Sequence, residues 1–279
     1  MNYEGSRRVG EETGDGRVSG LLREAAPRLT PRGDPNRLVE RIVARGTDRM
    51  FSCDSPLGEI YVGASDKGVR LVGRAASPEQ FALRYRERFG RLLSWGTDAR
   101  TRRLSERMAV ALTGGKIEVP VDLSETTPFQ RRVLEVVAGI PRGEVRPYVW
   151  VAREAGSPKA SRAVGTVMAN NPVPLLVPCH RVVRNDGTTG RYAFGVKEKV
   201  GLLEAEGVSV GELAGSPYLG TPTTGIVCHA TCRNARRVRP ENRRPFRSVN
   251  DATAAGYRPC RVCRPAVGTE ISEHGPAGR

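Results

Sequence analysis

The sequence predicts an α+β chain in three parts: a small β-meander with helices, a helix-turn-helix unit of winged-helix type, and a small four-cysteine module near the C-terminal end. Three observations carry this. Short apolar runs alternate from Met50 onward between two turn signals. Helical patterns after residue 127 are punctuated by Gly139 and Gly156. Four of the six cysteines fall between Cys228 and Cys263.

Residues 1–48 are rich in Gly, Arg and acids, with Pro27, Pro31 and Pro35, and read as a flexible lead-in. Within it Leu38, Ile42 and Val43 suit a short helix over Asn36–Arg45. Residues 49–125 read as a small α+β domain. Ser55-Pro56-Leu57-Gly58 and Asp66-Lys67-Gly68 are its turns, and helices are expected over Pro78–Phe89 and Arg100–Leu112.

Residues 126–210 form the next unit. Thr127 can cap a helix that Pro128 opens, and Phe129, Val133, Val136 and Val137 give it an apolar face. A second helix is expected from Tyr148 to Ala155, and Ser157-Pro158 is expected to start a third that runs to Asn170. Two short helices joined by a Gly-containing turn make a helix-turn-helix. The third helix is slim, with Ala160, Ser161, Ala163, Gly165, Thr166 and Ala169. Small residues suit tight internal packing, whereas Lys159 and Arg162 on the same helix suit a groove lined by phosphates. Residues 218–266 form the cysteine module, and 267–279 a flexible tail.

A length of 279 residues suits about two domains plus linkers. No apolar run approaches the ~18 residues of a membrane span. Met1–Gly20 lacks the basic head and apolar stretch of a secretory signal, so a cytoplasmic chain without a membrane partner is expected. Forty-five Lys and Arg against 30 acids give +15, which fits either a polyanionic partner such as nucleic acid or a generally basic solvated surface. Clustered cysteines in a reducing compartment read as metal ligands rather than disulfides.

The run Asn171-Pro172-Val173-Pro174-Leu175-Leu176-Val177-Pro178-Cys179-His180-Arg181 fixes an apolar segment with three prolines and delivers a cysteine beside a histidine. A cysteine in such a run is commonly a small buried hydrophobe. Beside a base it becomes a nucleophile, because the thiolate is the reactive form. His180 cannot easily fold back on its neighbour, so a bridging water suits the relay, with a carboxylate to orient the ring.

Pro178-Cys179-His180-Arg181-Val182, preceded by Asn171-Pro172, resembles the active-site signature of O6-alkylguanine-DNA alkyltransferases. Further matches run in order from about Met50 to Gly207: Ser55-Pro56-Leu57-Gly58, Pro128-Phe129-Gln130, Arg162-Ala163-Val164-Gly165, Lys199, Leu202-Leu203 and Glu206-Gly207. The resemblance implies single-turnover transfer of an alkyl group from O6-alkylguanine, with O4-alkylthymine a further substrate, to Cys179. It implies His180 as water-mediated base, Glu206 as the carboxylate behind it and Asn171 as the residue shaping the turn. Tyr148 would help rotate a nucleotide out of duplex DNA and Arg162 would fill the stack, with Lys159 and Ser161 as further DNA contacts. Extrusion is needed because a cysteine cannot reach the O6-alkyl carbon in a paired duplex. The carbonyls of Val182 and Cys179 are expected acceptors for the guanine amino group, and Phe194, where relatives often carry a small residue, is expected to narrow the pocket. The double-stranded DNA partner would be met by a monomer. Two rival readings are a non-catalytic lesion binder and a DNA-binding sensor; alkyltransferase-like lesion binders lack the cysteine of this signature, so Cys179 beside His180 favours chemistry, and the missing activator domain counts against the sensor.

Cys228-His-Ala-Thr-Cys232 and Cys260-Arg-Val-Cys263, separated by 27 residues, suit one tetrahedral zinc ion bound by four sulfurs. His229 is poorly placed as a substitute ligand. Residues 218–266 hold ten arginines, no lysine and two acids, a formal +8 that four thiolates and one zinc ion reduce to about +6. The runs Thr223–Cys228 and Ala254–Cys260 resemble the zinc domain of Ada-type adaptive-response proteins. That resemblance implies Cys228 as a second methyl acceptor, for DNA methylphosphotriesters, with zinc both structural and activating; a purely structural DNA anchor is the alternative. In that family the zinc module comes first and an activator domain follows it, an order absent here. Cys53, with no basic partner in its motif, reads as a packing residue.

Overall fold

The computed structural model describes residues 46–115 and 117–266. The expected short helix, the C-terminal tail and the lead-in up to residue 45 lie outside these residues; the end of the expected lead-in is corrected, because Thr47 and Asp48 pair in a strand and Asp48 is buried.

Strands β1 (Thr47–Ser55), β2 (Gly58–Ala64) and β3 (Val69–Gly73) form the expected antiparallel meander. Its first turn closes where the Ser55 hydroxyl donates to the Gly58 carbonyl at 2.6 Å and accepts the Leu57 N–H at 3.1 Å. Gly58, at φ 83, takes the left-handed conformation that a side chain would strain. Helix α1 (Pro78–Phe89) starts at Ser77, whose side chain accepts the Gln80 N–H, and stops at left-handed Gly90. Helix α2 (Ala99–Leu112) starts at Asp98 in the same manner. Between them lies β4 (Leu92–Trp95), parallel to β1 and completing a sheet ordered β3-β2-β1-β4. The sequence reading missed β4 because Leu-Leu-Ser-Trp is short, lacks alternation and leaves Leu92 and Trp95 exposed.

Helix α3 (Pro128–Ala138) has a complete capping box, in which Thr127 accepts the Gln130 N–H and the Gln130 side chain accepts the Thr127 N–H. Strand β5 (Arg146–Pro147) leads directly into α4 (Tyr148–Glu154). Helix α5 (Ser161–Ala169) corrects an expectation: Ser157-Pro158 does not begin it. Ser157 and Ala160 instead close a turn, the Ala160 N–H donating to the Ser157 carbonyl at 2.9 Å, and α5 starts without a side-chain cap. Lys159 therefore stands in that turn, ahead of the helix that carries Arg162.

A single 3₁₀ turn covers Cys179–Arg181 and runs into β6 (Val182–Val183), which pairs in parallel with β5. Helices α6 (Val196–Ala205) and α7 (Val210–Leu213) follow. Residues on both sides of position 125 bury side chains in one cluster, from Ile60, Val62 and Met108 to Val133, Val137, Val164 and Cys179.

The last segment folds as β7 (Tyr218–Thr221), β8 (Ile226–His229), α8 (Arg233–Arg236), β9 (Arg244–Phe246), α9 (Val249–Ala254) and β10 (Arg258–Pro259), with sheet order β10-β8-β7-β9. Its small apolar clusters include one formed largely by the four cysteines, so metal binding replaces much of a conventional core. Among the described residues no helix is long and apolar enough to cross a membrane.

Candidate active site and zinc centre

The proline-rich run bends into a loop that Asn171 fastens from inside. Its Oδ1 accepts the Val173 N–H at 3.1 Å, while Nδ2 donates to the Val177 carbonyl at 2.9 Å and lies 3.2 Å from Cys179 Sγ. Leu175 takes a left-handed φ of 75, unusual for a branched residue and a sign that the loop is over-determined by its surroundings. Cys179 is 3% exposed and faces a cavity of about 560 Å³.

Behind it, His180 Nε2 lies 3.1 Å from Glu206 Oε1. Arg181 donates to the same carboxylate through Nη2 at 2.8 Å and Nε at 3.0 Å, and the Gly143 N–H adds a bond of 3.0 Å. Burial alone would raise the Glu206 carboxyl, but these donors outweigh it and bring it down to about 2. Burial also lowers the His180 pKa, against the opposing pull of Glu206, so the ring favours its neutral form. With Nε2–H directed at Glu206, Nδ1 keeps a lone pair; it is buried and has no hydrogen-bond partner among the described residues. That is the arrangement of a general base.

Lys199 was read from sequence only as part of a matched helix, yet it is fully buried and donates to the Val182 carbonyl at 2.5 Å. Burial depresses its ammonium to about 8, and its charge favours the Cys179 thiolate. Burial is the larger influence on Cys179 and raises its thiol, opposed by Asn171 and Lys199. No sequence period could show this, because Lys199 reaches the site only through the docking of α6 on the Cys179 turn.

Tyr148, Arg162, Gly165, Met168, Tyr192 and Ala193 line the cavity with Cys179, so α4, α5 and the loop before α6 converge there. Lys159 and Ser161 lie near the start of α5 and do not line it. Arg184 and Arg191 do, and sequence reasoning named neither. Their signal would have been a return of the 184–191 loop, which the Arg184 N–H makes by donating to the Thr188 carbonyl at 2.8 Å. Phe194 is not among the lining residues; its ring meets Tyr192 edge-on at 5.7 Å. The Val182 carbonyl already accepts Lys199, and the Cys179 carbonyl accepts the Val182 N–H, so each keeps only a second lone pair for a base.

The four cysteines of the last segment come together from β8, the start of α8, and the turn after β10. Their Sγ atoms all lie within 4.8 Å of one another, and all four residues are buried. Tetrahedral zinc with Zn–S near 2.3 Å needs sulfurs about 3.8 Å apart, so the donor set fits one zinc ion. His229 stands outside this set and its ring packs against Tyr218 at 5.2 Å. Cys53 is half-buried in β1 and packs against the main apolar cluster, and burial pushes its thiol up to about 11.

A buried thiol with a His–Glu pair behind it, at an arginine-lined cavity between short helices, defines a protein whose own cysteine reacts, with a zinc module attached. Residues 128–208 match the family described as 6-O-methylguanine DNA methyltransferase, DNA binding domain, and residues 212–266 match the metal binding domain of Ada. A methylated-DNA–protein-cysteine methyltransferase of Methanothermobacter thermautotrophicus is 42% identical over 112 residues, covering 39% of this chain and 62% of that protein. Its counterpart in Methanosarcina acetivorans is 33% identical over 156 residues, covering 55% of this chain and 95% of the relative. The solved O6-methylguanine methyltransferase of Mycobacterium tuberculosis aligns at 28% identity with a TM-score of 0.45, over 57% of this chain and 92% of that one. The chain belongs to the methylated-DNA–protein-cysteine methyltransferase family and carries an Ada-type zinc-binding domain after the methyltransferase domain.

Proposed function

We propose that this chain repairs DNA by moving the alkyl group of O6-alkylguanine, and of O4-alkylthymine, onto Cys179 in a single turnover. The observation that carries the reading is the continuous set Asn171, Cys179, His180 and Glu206: one residue holds the sulfur, the next supplies a base, and a carboxylate orients that base. His180 Nδ1 takes the thiol proton through one water, and the sulfur attacks the alkyl carbon. A C–S bond forms as the C–O bond breaks, its electron pair passes to O6, and the guanine ring takes up a proton to regain its ordinary form. The thioether does not reverse, so each chain reacts once. A sensor or lesion binder would need no such relay.

The working partner is double-stranded DNA in the cytoplasm. Arg162, Arg184 and Arg191 face the cavity with no acid among its lining residues, and this favours phosphates at its mouth. Arg162 and Tyr148 serve extrusion of the damaged nucleotide, and Lys159 and Ser161 contact the backbone beside it. Arg162→Ala is expected to slow repair in duplex by about tenfold or more while leaving single-stranded substrate nearly unaffected, since only the duplex must be unstacked. Equal slowing on both substrates in rapid-quench assays would remove Arg162 from that role.

The zinc module binds DNA through its arginines, and Cys228 accepts methyl from a methylphosphotriester. Zinc keeps its cysteine ligands deprotonated at neutral pH. The experiment for both acceptors is intact-mass analysis and peptide mapping after exposure to methylated duplex. O6-methylguanine should add one methyl at Cys179, and phosphotriesters alone one methyl at Cys228. Phosphotriester DNA that leaves zinc-loaded Cys228 unmodified, with both diastereomers present, would reduce the module to a structural anchor.

A further inference from the structure

The turn between α3 and α4 is held from two directions. On one side the Gly143 N–H donates to Glu206 Oε2 at 3.0 Å. On the other, Glu144 Oε1 accepts the Arg233 N–H at 3.0 Å, and the Val145 N–H donates to Thr231 Oγ1 at 2.9 Å. Thr231 and Arg233 are the two neighbours of the zinc ligand Cys232. Glu144 is 3% exposed, and its second oxygen pairs with Arg146 on β5, the strand that runs beside β6 immediately after Cys179–Arg181.

The turn has no slack. Gly143 stands at φ 73, and a Cβ there would come within 2.8 Å of the Glu206 carbonyl oxygen and 3.0 Å of Arg236 Nη1 in the zinc module. One glycine is thus pressed between the residue behind His180 and the segment after Cys232. Val145, Val183, Leu203 and Val208 fill the space beneath, with Ala230 of the module against them. Glu144, Val145 and Thr231 are buried, so a bond lost among them leaves a polar group with poor access to water.

We infer that Glu144 is a positioning residue that couples the zinc module to the Cys179 relay. Cys232, fixed in its four-thiolate site, holds Thr231 and Arg233; these hold the 143–146 turn; and the turn holds Glu206 behind His180. Loss of zinc therefore slows alkyl transfer at a thiol that belongs to the other domain. The inference rests on Cys179 being the acceptor.

The experiment compares full-length wild type, Glu144→Ala and Glu144→Gln, each with zinc bound and after chelation, with zinc content measured in every sample. Single-turnover transfer from duplex containing O6-methylguanine gives a first-order rate constant at saturation, a half-saturation concentration and a reacting fraction. A mere brace would change the reacting fraction alone. Coupling through Glu144 predicts that chelation lowers the wild-type rate constant at saturation about five- to tenfold, the worth of about one hydrogen bond, separately from the rise in half-saturation that follows loss of the module's DNA contacts. Zinc-loaded Glu144→Ala should be slowed as much, and chelation should then add little, because the two changes cut one connection. Glu144→Gln keeps an acceptor for Arg233 and should recover most of the rate. Should Glu144→Ala fail to fold, Thr231→Val, which deletes only the hydroxyl bond to Val145, serves in its place and should slow transfer about threefold. Wild-type rate in the zinc-loaded alanine or valine variant, or equal slowing of wild type and variant by chelation, overturns the coupling. Labelling of Cys179 by iodoacetamide, read by peptide mapping without DNA, decides the coupling by the same comparisons even if the alkyl-transfer reading itself fails.

Discussion

Cys179→Ala is expected to bind duplex DNA containing O6-methylguanine with nearly the affinity of the unaltered chain and to remove no methyl from it. In the proposed relay the sulfur forms the new bond, while Asn171 and Lys199 hold it and His180 takes its proton. Tyr148, Arg162 and the arginines that line the cavity, to which DNA contact is assigned in the proposed function, are left in place by the substitution. Fluorescence anisotropy reads the first quantity and loss of O6-methylguanine from the duplex reads the second. Methyl removal that persists in this variant, wherever the methyl is found, would end the assignment of Cys179.

The second large effect belongs to Glu206→Gln, which should lower the transfer rate on the order of 10²- to 10⁴-fold, the range over which a positioned acid–base group contributes. An amide cannot accept equally from His180, Arg181 and Gly143, and it removes the charge that balances Arg181. The stability of the fold should change its pH dependence as well. Glu206 titrates at about 2 when folded against an ordinary 4.5, so its contribution is fully present above pH 4.5 and is lost as pH falls through about 2. In the Gln variant that contribution is missing at neutral pH, and the stability lost on acidification should shrink by the same amount. Thermal unfolding across this range measures it; an unchanged acid limb would show that the Glu206 network does not stabilise the fold.

Much of the site was legible as short signals in the chain. The Thr127 cap, the turn at Ser55–Gly58, the Pro178-Cys179-His180-Arg181 run and the two cysteine pairs are each local, because caps, turns and metal knuckles are made by residues a few positions apart. Ser157-Pro158 shows the limit of the same logic. A serine before a proline can cap a helix or open a turn, and here the Ala160 N–H closes the turn before α5 begins. Strand β4 has too few residues to show a period and exists because β1 offers it an edge.

The sequence by itself singled out Cys179 and His180 as the proposed nucleophile and base, the four clustered cysteines and the order of the two matched domains, since each is written in residue type and close spacing. Only the tertiary structure decided that Lys199 is buried beside Cys179, that Arg184 and Arg191 line the cavity, and that Glu144 and Gly143 join the zinc module to Glu206. These are contacts between residues up to 89 positions apart. Their chemistry depends on burial, which strengthens a hydrogen bond and shifts a titration only after packing has excluded water.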